Sequence, residues 1–207
     1  MRLDCPESFP AHRAEEISRA LALGRAIVIP TDTIYGIGAD PYSTRAVNDL
    51  LALKGRGRHM PPPVLVSSME EAETVSTHLT EAARALMRHF WPGALTLIVR
   101  ANPRINFDLG DIKDTLAIRM PDHAVALSVL RETGPLAVTS ANLTGQPPAT
   151  SYQEAKAYFG QSVAYYIDSG PTPGPVPSTI VDTVDVPRVV RRGAISVEEI
   201  EQVLVTV

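Results

Sequence analysis

Cysteine is almost absent from this chain, and long apolar runs are missing altogether. Cys5 is the one cysteine in 207 residues, so no intrachain disulfide can form. Every apolar run is far shorter than the roughly 18 residues that a membrane-spanning helix requires. Residues 1–16 carry charges where a signal peptide has an apolar core. We therefore expect a cytoplasmic protein in which Cys5 has no catalytic role.

Several familiar catalytic signatures are missing as well. The sequence has no HExxH motif, no cysteine–histidine cluster, no GxSxG nucleophile and no Walker phosphate loop. No protein metal site is predicted, and no nucleophile or general base stands out. The pattern favours catalysis by positioning and charge neutralisation. The five histidines are scattered and are predicted to lie at the surface, at positions His12, His59, His78, His89 and His123.

Positive charge is also in short supply. The chain has 23 acidic and 19 basic residues, a formal net charge of −4, which argues against a generally basic nucleic-acid binder. Only three of the basic residues are lysines, so Lys54, which lies among glycines and arginines, is a notable exception. Arginine dominates elsewhere, and its planar guanidinium suits carboxylate and phosphate groups.

Hydrophobic patterning predicts one α/β domain spanning residues 1–207. About seven strands and six helices alternate along the chain, which places the helices against the faces of one sheet. Near the C-terminus strands follow one another directly, so a twisted mixed β-sheet with flanking helices fits better than a purely parallel sheet. No internal repeat, low-complexity tract or linker divides the chain.

The most informative stretch covers residues 26–54. An apolar β-branched run reads as a buried strand and breaks at Pro30 into a loop rich in hydroxyl groups. Gly36 and Gly38 follow, where the backbone can turn or approach a ligand closely. Ser43 is predicted to cap a helix that continues to Leu53.

A cationic loop, KGRGR, follows that helix. Lys54, Arg56 and Arg58 could surround a triphosphate, while the glycines would let backbone amides approach it. A solvated loop at a helix C-terminus is the alternative, because cations are stable beside the negative end of the helix dipole. The loop alone leaves both interpretations open.

Polar and cationic residues follow the predicted strands at their ends, which is the usual place for a site in an open α/β sheet. They are Thr33, Tyr35, Arg119, Ser140, Asn142 and Arg191. Arg119 ends an apolar strand, where a bare charge is costly and needs a partner. A ligand carboxylate or a structural aspartate would serve equally well.

Five motifs in this order resemble the YrdC-domain family, the threonylcarbamoyl-AMP synthases. The first is PTDTIYGIGAD at residues 30–40 followed by the KGR loop, and together the motifs cover roughly residues 17–193. The remaining four are LAIRMP at 116–121, TSAN at 139–142, STIVD at 178–182 and RRG at 191–193.

The resemblance implies a YrdC-like fold with a concave positive face and a specific reaction. The family joins L-threonine, bicarbonate or CO₂, and ATP into threonylcarbamoyl-AMP and pyrophosphate, and other proteins transfer the activated group to tRNA. Mg²⁺ would be bound with ATP. Carried over, Lys54 and Arg56 would be catalytic, and Arg119 would take the threonine carboxylate. ATP would contact Lys54, Arg56, Arg58, Thr115, Ser140, Asn142 and Arg191, and threonine would contact Thr33, Tyr35, Arg119, Thr139 and Ser178.

This sequence departs from the family pattern in three places. The cationic loop is longer than usual, so whether Arg56 or Arg58 contacts phosphate stays open. Ser67 stands where relatives often have histidine, and the approach to Ser178 is rich in proline.

A second function is a non-catalytic module that grips double-stranded RNA or tRNA on an arginine-lined face. The acidic net charge of the chain weighs against that function.

Overall fold

The computed structural model describes residues 1–205. Its ten strands are β1 (Arg2–Asp4), β2 (Ile27–Ile29), β3 (Gly36–Ala39), β4 (Val64–Leu65), β5 (Leu95–Arg100), β6 (Thr115–Arg119), β7 (Leu136–Ser140), β8 (Tyr165–Asp168), β9 (Thr179–Asp182) and β10 (Arg188–Arg191). Its helices are α1 (Ala14–Ala22), α2 (Thr44–Lys54), α3 (Met69–Val75), α4 (Glu81–Phe90), α5 (Ala124–Thr133), α6 (Tyr152–Phe159) and α7 (Val197–Leu204). A short 3₁₀ turn at Ala11–Arg13 precedes α1. Within residues 1–205, every helix is too short or too polar to cross a membrane.

All ten strands form one sheet in the order β1-β8-β2-β3-β7-β4-β6-β5-β9-β10. The sheet contains parallel pairs, such as β5 with β9, and antiparallel pairs, such as β5 with β6. The predicted mixed sheet with flanking helices is therefore confirmed.

Helices cover both faces of the central part of the sheet. In β2, Ile27 and Ile29 belong to the buried cluster that contains α1 and α5, while Val28 belongs to the cluster that contains α2 and α6. Because successive strand residues point to opposite faces, β2 is buried on both sides. This explains why its sequence is a continuous apolar run rather than an alternating one.

Two strands differ from the prediction. β1 was not predicted, and residues 36–39 form β3 instead of a loop. The two glycines of β3 are there for packing: a Cβ on Gly36 would lie 2.5 Å from Val138 Cγ1, and one on Gly38 would lie 3.0 Å from Val138 Cγ2. The missing side chains let β3 lie flat against its neighbour β7.

The predicted helix cap at Ser43 is confirmed, and Thr80 and Ser196 cap α4 and α7 in the same way, each accepting a backbone N–H bond from its own first turn. The sequence also predicts Asp122 as the cap of α5, and this prediction is wrong. His123 takes that position, because its Nδ1 accepts from the amide of Ala126 at 3.4 Å. His123 is also half-buried, so its predicted surface position is only partly right.

The sequence also predicts capping boxes of Ser68 with Glu71 and of Ser151 with Glu154, and each forms only in part. Ser68 and Ser151 cap their helices, but the glutamate three residues on bonds the residue before the cap. Glu71 accepts from both the amide and the hydroxyl of Ser67, and Glu154 accepts from both the amide and the hydroxyl of Thr150.

Candidate active site

A cavity of about 510 Å³ opens on the sheet face that helices α3, α4 and α7 leave uncovered. On β5, Leu95, Leu97 and Val99 pack into the core with those helices, while Thr96 and Ile98 line the cavity. The same alternation continues on β6, where Thr115, Ala117 and Arg119 face the cavity. Because successive side chains point to opposite faces of the sheet, alternate residues of each strand pack into the core and the residues between them line the cavity.

Three loops complete the cavity wall. The loop after β2 contributes Thr31 and residues 33–35, the loop after α2 contributes Arg56, Met60, Pro61 and Pro63, and the loop before β9 contributes Pro175, Pro177 and Ser178. Strand ends and loops from distant parts of the sequence thus meet around one space, as the strand-end pattern predicts.

Three guanidinium groups line this cavity, those of Arg56, Arg119 and Arg191. Burial lowers the pKa of each, and Arg119 and Arg56 lower the pKa of Arg191 further through their charges. Arginine nevertheless stays protonated in proteins. None of the described lining residues is acidic, so the cavity is electropositive.

Arg119 is 6% exposed and is held on three sides. Its Nε donates to the carbonyl of Gly93 at 2.9 Å, its Nη1 donates to Thr33 Oγ1 at 2.9 Å, and its Nη2 forms a 2.6 Å ion pair with Asp32. A structural aspartate therefore does partner Arg119. Since a guanidinium has five N–H donors, two remain for a ligand.

Arg191 and Ser178 form a second polar cluster. Arg191 Nη2 donates to the Ser178 carbonyl at 2.7 Å and to its Oγ at 3.1 Å, and Ser178 Oγ lies 2.8 Å from Thr96 Oγ1. Either hydroxyl can donate in the Thr96–Ser178 bond, since Ser178 Oγ can accept from the arginine and from Thr96 at the same time. Thr96 was not predicted as a site residue, although it is a polar residue between the apolar residues at the start of the strand sequence LTLIVR.

Arg56 reaches the cavity from the loop after α2. Its Nη1 donates to Thr139 Oγ1 at 3.1 Å, while its buried Nε has no hydrogen-bond partner. A buried donor without a partner is costly, so the protein satisfies this guanidinium only in part.

Arg58 lies outside the cavity. Its guanidinium pairs with Asp108 at 2.6 Å, lies 3.5 Å from Asp111 and also donates to Asn48. The structure thus places Arg56, and not Arg58, where a phosphate contact is available.

Lys54 lies behind the cavity rather than in its wall. It is the last residue of α2 and is 3% exposed, not part of a solvated loop. Its ammonium donates to the carbonyls of Ser140 and Asn142 and to Asn142 Oδ1. The lysine therefore fixes the turn after β7, where Ser140 and Asn142 line the cavity. Burial, and secondarily the charge of Arg56, lowers the pKa of Lys54 to about 8.

This pKa predicts how the stability of the chain depends on pH. The pKa of Lys54 is about 8 in the folded chain and has its ordinary value of 10.5 in the unfolded chain. Between these two pH values the unfolded chain therefore binds more protons than the folded chain. The free energy of unfolding should therefore rise over this range. Urea unfolding at each pH measures the effect.

Lys54→Met is the control, because it removes the titrating group. Its stability should lack the rise seen in the wild-type chain. Identical pH profiles for the two proteins would contradict the assignment.

Thr33, Thr115 and Thr139 line the cavity as the sequence analysis expects. Tyr35 borders it too, but its hydroxyl points away and donates to the carbonyl of Gly170 at 2.7 Å. The amide and the hydroxyl of Ser67 both donate to the Glu71 carboxylate. Residues at the site that were not predicted include Thr31, Asp32, Met60 and Ile112, which lie in loops whose positions depend on distant contacts.

The model of the Sua5/YciO/YrdC family, described as "Telomere recombination", matches residues 19–193. This match covers most of the chain. The chain belongs to the Sua5/YciO/YrdC family.

Curated members of the Sua5/YciO/YrdC family support the match. The chain is 46% identical over 206 residues to a putative threonylcarbamoyl-AMP synthase of Mycobacterium tuberculosis, covering 96% of this chain and 95% of the relative. It is 38% identical to the threonylcarbamoyl-AMP synthase of Bacillus subtilis, covering 91% of this chain and 56% of that longer protein.

A solved structure gives the same result for the fold. Pyrococcus abyssi Sua5 complexed with L-threonine superposes with a TM-score of 0.90 at 31% identity, covering 99% of this chain and 61% of that one.

Proposed function

We propose that this protein is a threonylcarbamoyl-AMP synthase, a nucleotidyltransferase that makes threonylcarbamoyl-AMP and pyrophosphate from L-threonine, bicarbonate or CO₂, and ATP. The observation that carries the proposal is the convergence of Arg56, Arg119 and Arg191 with hydroxyl groups in one cavity without a lining carboxylate. Such a cavity suits two anions side by side, a triphosphate and an amino-acid carboxylate. The names of the similar proteins, and the threonine bound to P. abyssi Sua5, point the same way.

The residues take the following roles in this proposal. Arg119 binds the threonine carboxylate with its two free N–H groups, and Thr33, Thr139 and Ser178 shape the space around it. Arg56 and Arg191 bind the phosphates. Thr115, Ser140 and Asn142 lie near the nucleotide, and Lys54 holds the turn that carries the last two and adds positive potential from behind.

The chemistry requires charge stabilisation rather than a protein nucleophile. The threonine amine adds to CO₂ and loses a proton, which gives a carbamate. A carbamate oxygen then attacks the α-phosphorus, and the bond from that phosphorus to the departing pyrophosphate breaks. Arg56 and Arg191 are placed to stabilise the negative charge that builds on the phosphates.

The residues also fit a magnesium ion that is carried by ATP. Among residues 1–205, no group of three histidine, cysteine or acidic side chains is placed to hold a metal. The lining offers hydroxyl and amide oxygens, which suits Mg²⁺ held by the phosphates rather than by a protein cage. When bound, Mg²⁺ would neutralise phosphate charge.

The proposed product is a reactive mixed anhydride. We propose that it passes to the machinery that transfers the threonylcarbamoyl group to tRNA. The cytoplasm is the proposed compartment, and a single buried thiol agrees with it.

Incubation with ATP, Mg²⁺, labelled bicarbonate and single amino acids tests the function. We expect pyrophosphate and a labelled adenylate with threonine or a close analogue, and neither product with lysine or glutamate. Titration with double-stranded RNA tests the other function in parallel. Steep, salt-dependent RNA binding without binding of ATP or threonine would favour the non-catalytic module and overturn the synthase.

A further inference from the structure

One segment of the cavity wall is not explained by the proposed chemistry. Residues 169–177, here called the strap, have prolines at every second position from 171 to 177. Proline fixes φ near −65° and favours an extended, left-handed chain. The strap runs from β8 to β9, which are the second and ninth strands in the sheet order, so it crosses most of the sheet. Near its far end, Pro175 and Pro177 line the cavity.

The strap is fixed at both ends. At the far end, the amide of Ala194 donates to the Pro177 carbonyl at 2.9 Å, and Arg191 holds the next residue, Ser178. At the near end, Ser169 Oγ lies 3.1 Å from His123 Nε2, and the amide of Thr172 donates to the carbonyl of Thr150 at 2.8 Å.

Tyr35 supplies the most deeply buried of these anchors. Its side chain is fully buried, and its hydroxyl donates to the Gly170 carbonyl at 2.7 Å and lies 3.3 Å from Asp168 Oδ1. Burial raises the pKa of Tyr35, so the hydroxyl keeps its proton. Because that single proton is used on the strap, it is not available to a ligand in the cavity.

We propose that Tyr35 is a positioning residue whose hydroxyl ties the proline-rich strap to the sheet, so that Pro175, Pro177 and Ser178 form a preformed wall of the threonine pocket. The proposal rests on the proposed function. A preformed wall spares the ligand the entropic cost of ordering nine residues when it binds. Proline contributes to the same effect, because it limits the conformations that an untied strap can adopt.

Tyr35→Phe removes the hydroxyl alone, and Tyr166→Phe is its matched control. Tyr166 is also buried, at 3% exposed, and donates to a glycine carbonyl, that of Gly160, at 2.8 Å, but it does not line the cavity. Both variants lose a buried bond from a tyrosine hydroxyl to a glycine carbonyl, and Tyr35→Phe also loses the 3.4 Å bond from the Ser169 amide, which belongs to the strap.

We expect Tyr35→Phe to raise the KM for threonine about three- to tenfold, which is the weight of one such bond, and to change kcat less than about twofold. Hydrogen exchange of the ligand-free protein should become faster at the Thr172 amide. Tyr166→Phe should leave the threonine KM and the exchange at Thr172 unchanged.

Equal threonine KM values and equal Thr172 exchange for the two variants would overturn the proposal. The exchange measurement needs no substrate, so it decides the tether even if the chain proves to have no synthase activity. Absence of activity in the wild-type chain would instead overturn the proposed function.

Discussion

Replacing Arg56 by alanine is expected to lower kcat/KM for ATP about 100-fold, which is the typical loss when one donor to a developing charge is removed. Arg56 lines the cavity, and its Nε has no partner within the described residues. Among residues 1–205, its guanidinium makes one hydrogen bond, to Thr139, so truncation removes little that holds the fold. Pyrophosphate release at varied ATP concentration measures the effect.

Arg58→Ala is the matched control from the same loop. It removes an equal charge two residues away, but this guanidinium is engaged with Asp108 and Asp111 outside the cavity. We expect kcat/KM for ATP to change less than about threefold, because Arg58 lies outside the cavity and its partly exposed ion pairs contribute little to the stability of the fold. A larger loss for Arg58→Ala than for Arg56→Ala would reverse the assignment of the phosphate contact.

Replacing Arg119 by lysine is expected to raise the KM for threonine about 100-fold while ATP affinity changes little. Lysine keeps the positive charge for Asp32, but its ammonium cannot reach the Gly93 carbonyl, Thr33, Asp32 and a ligand carboxylate together. The lost bonds should also lower the free energy of unfolding by about 1–3 kcal/mol. Calorimetric titration with threonine, and with ATP separately, distinguishes the two affinities.

Arg100→Lys is the control for this substitution. Arg100 lies on the adjacent strand β5 and pairs with Asp185 at the surface, so its replacement should affect neither affinity nor stability. If Arg119→Lys bound threonine as tightly as the wild-type chain, Arg119 would make contacts within the protein and would not bind the threonine carboxylate.

Several site positions could be predicted because they depend on local pattern. An arginine that ends an apolar strand needs a partner for its charge. Arg119 forms an ion pair with Asp32 and also lines the cavity. Hydroxyl groups after a β-branched run mark a strand end, and Thr33 lies there. These inferences need only the strand period and the cost of burying charge.

Other features depend on contacts that the local sequence does not contain. Tyr35 turns its hydroxyl to Gly170, which lies 135 residues away along the chain. Arg58 is removed from the cavity by Asp108, 50 residues away. Sequence spacing placed both side chains in the right region, and tertiary partners decided where their polar atoms point.

Lys54 illustrates the same limit in its charge. Its glycine-rich neighbourhood suggests an exposed cation, yet α2 continues through it and Gly55, at φ 62°, ends the helix in the left-handed region. The lysine is therefore buried against Ser140 and Asn142, residues that β7 delivers from the middle of the sheet. Its altered pKa follows from that burial and could not be read from the motif.

A crystal structure with L-threonine, Mg²⁺ and a non-hydrolysable ATP analogue tests the central claim most directly. The account predicts both ligands in the one cavity, with the threonine carboxylate within hydrogen-bond distance of Arg119 and the phosphates in contact with Arg56 and Arg191. Either ligand bound elsewhere on the molecule, with the three guanidinium groups left empty, would contradict it.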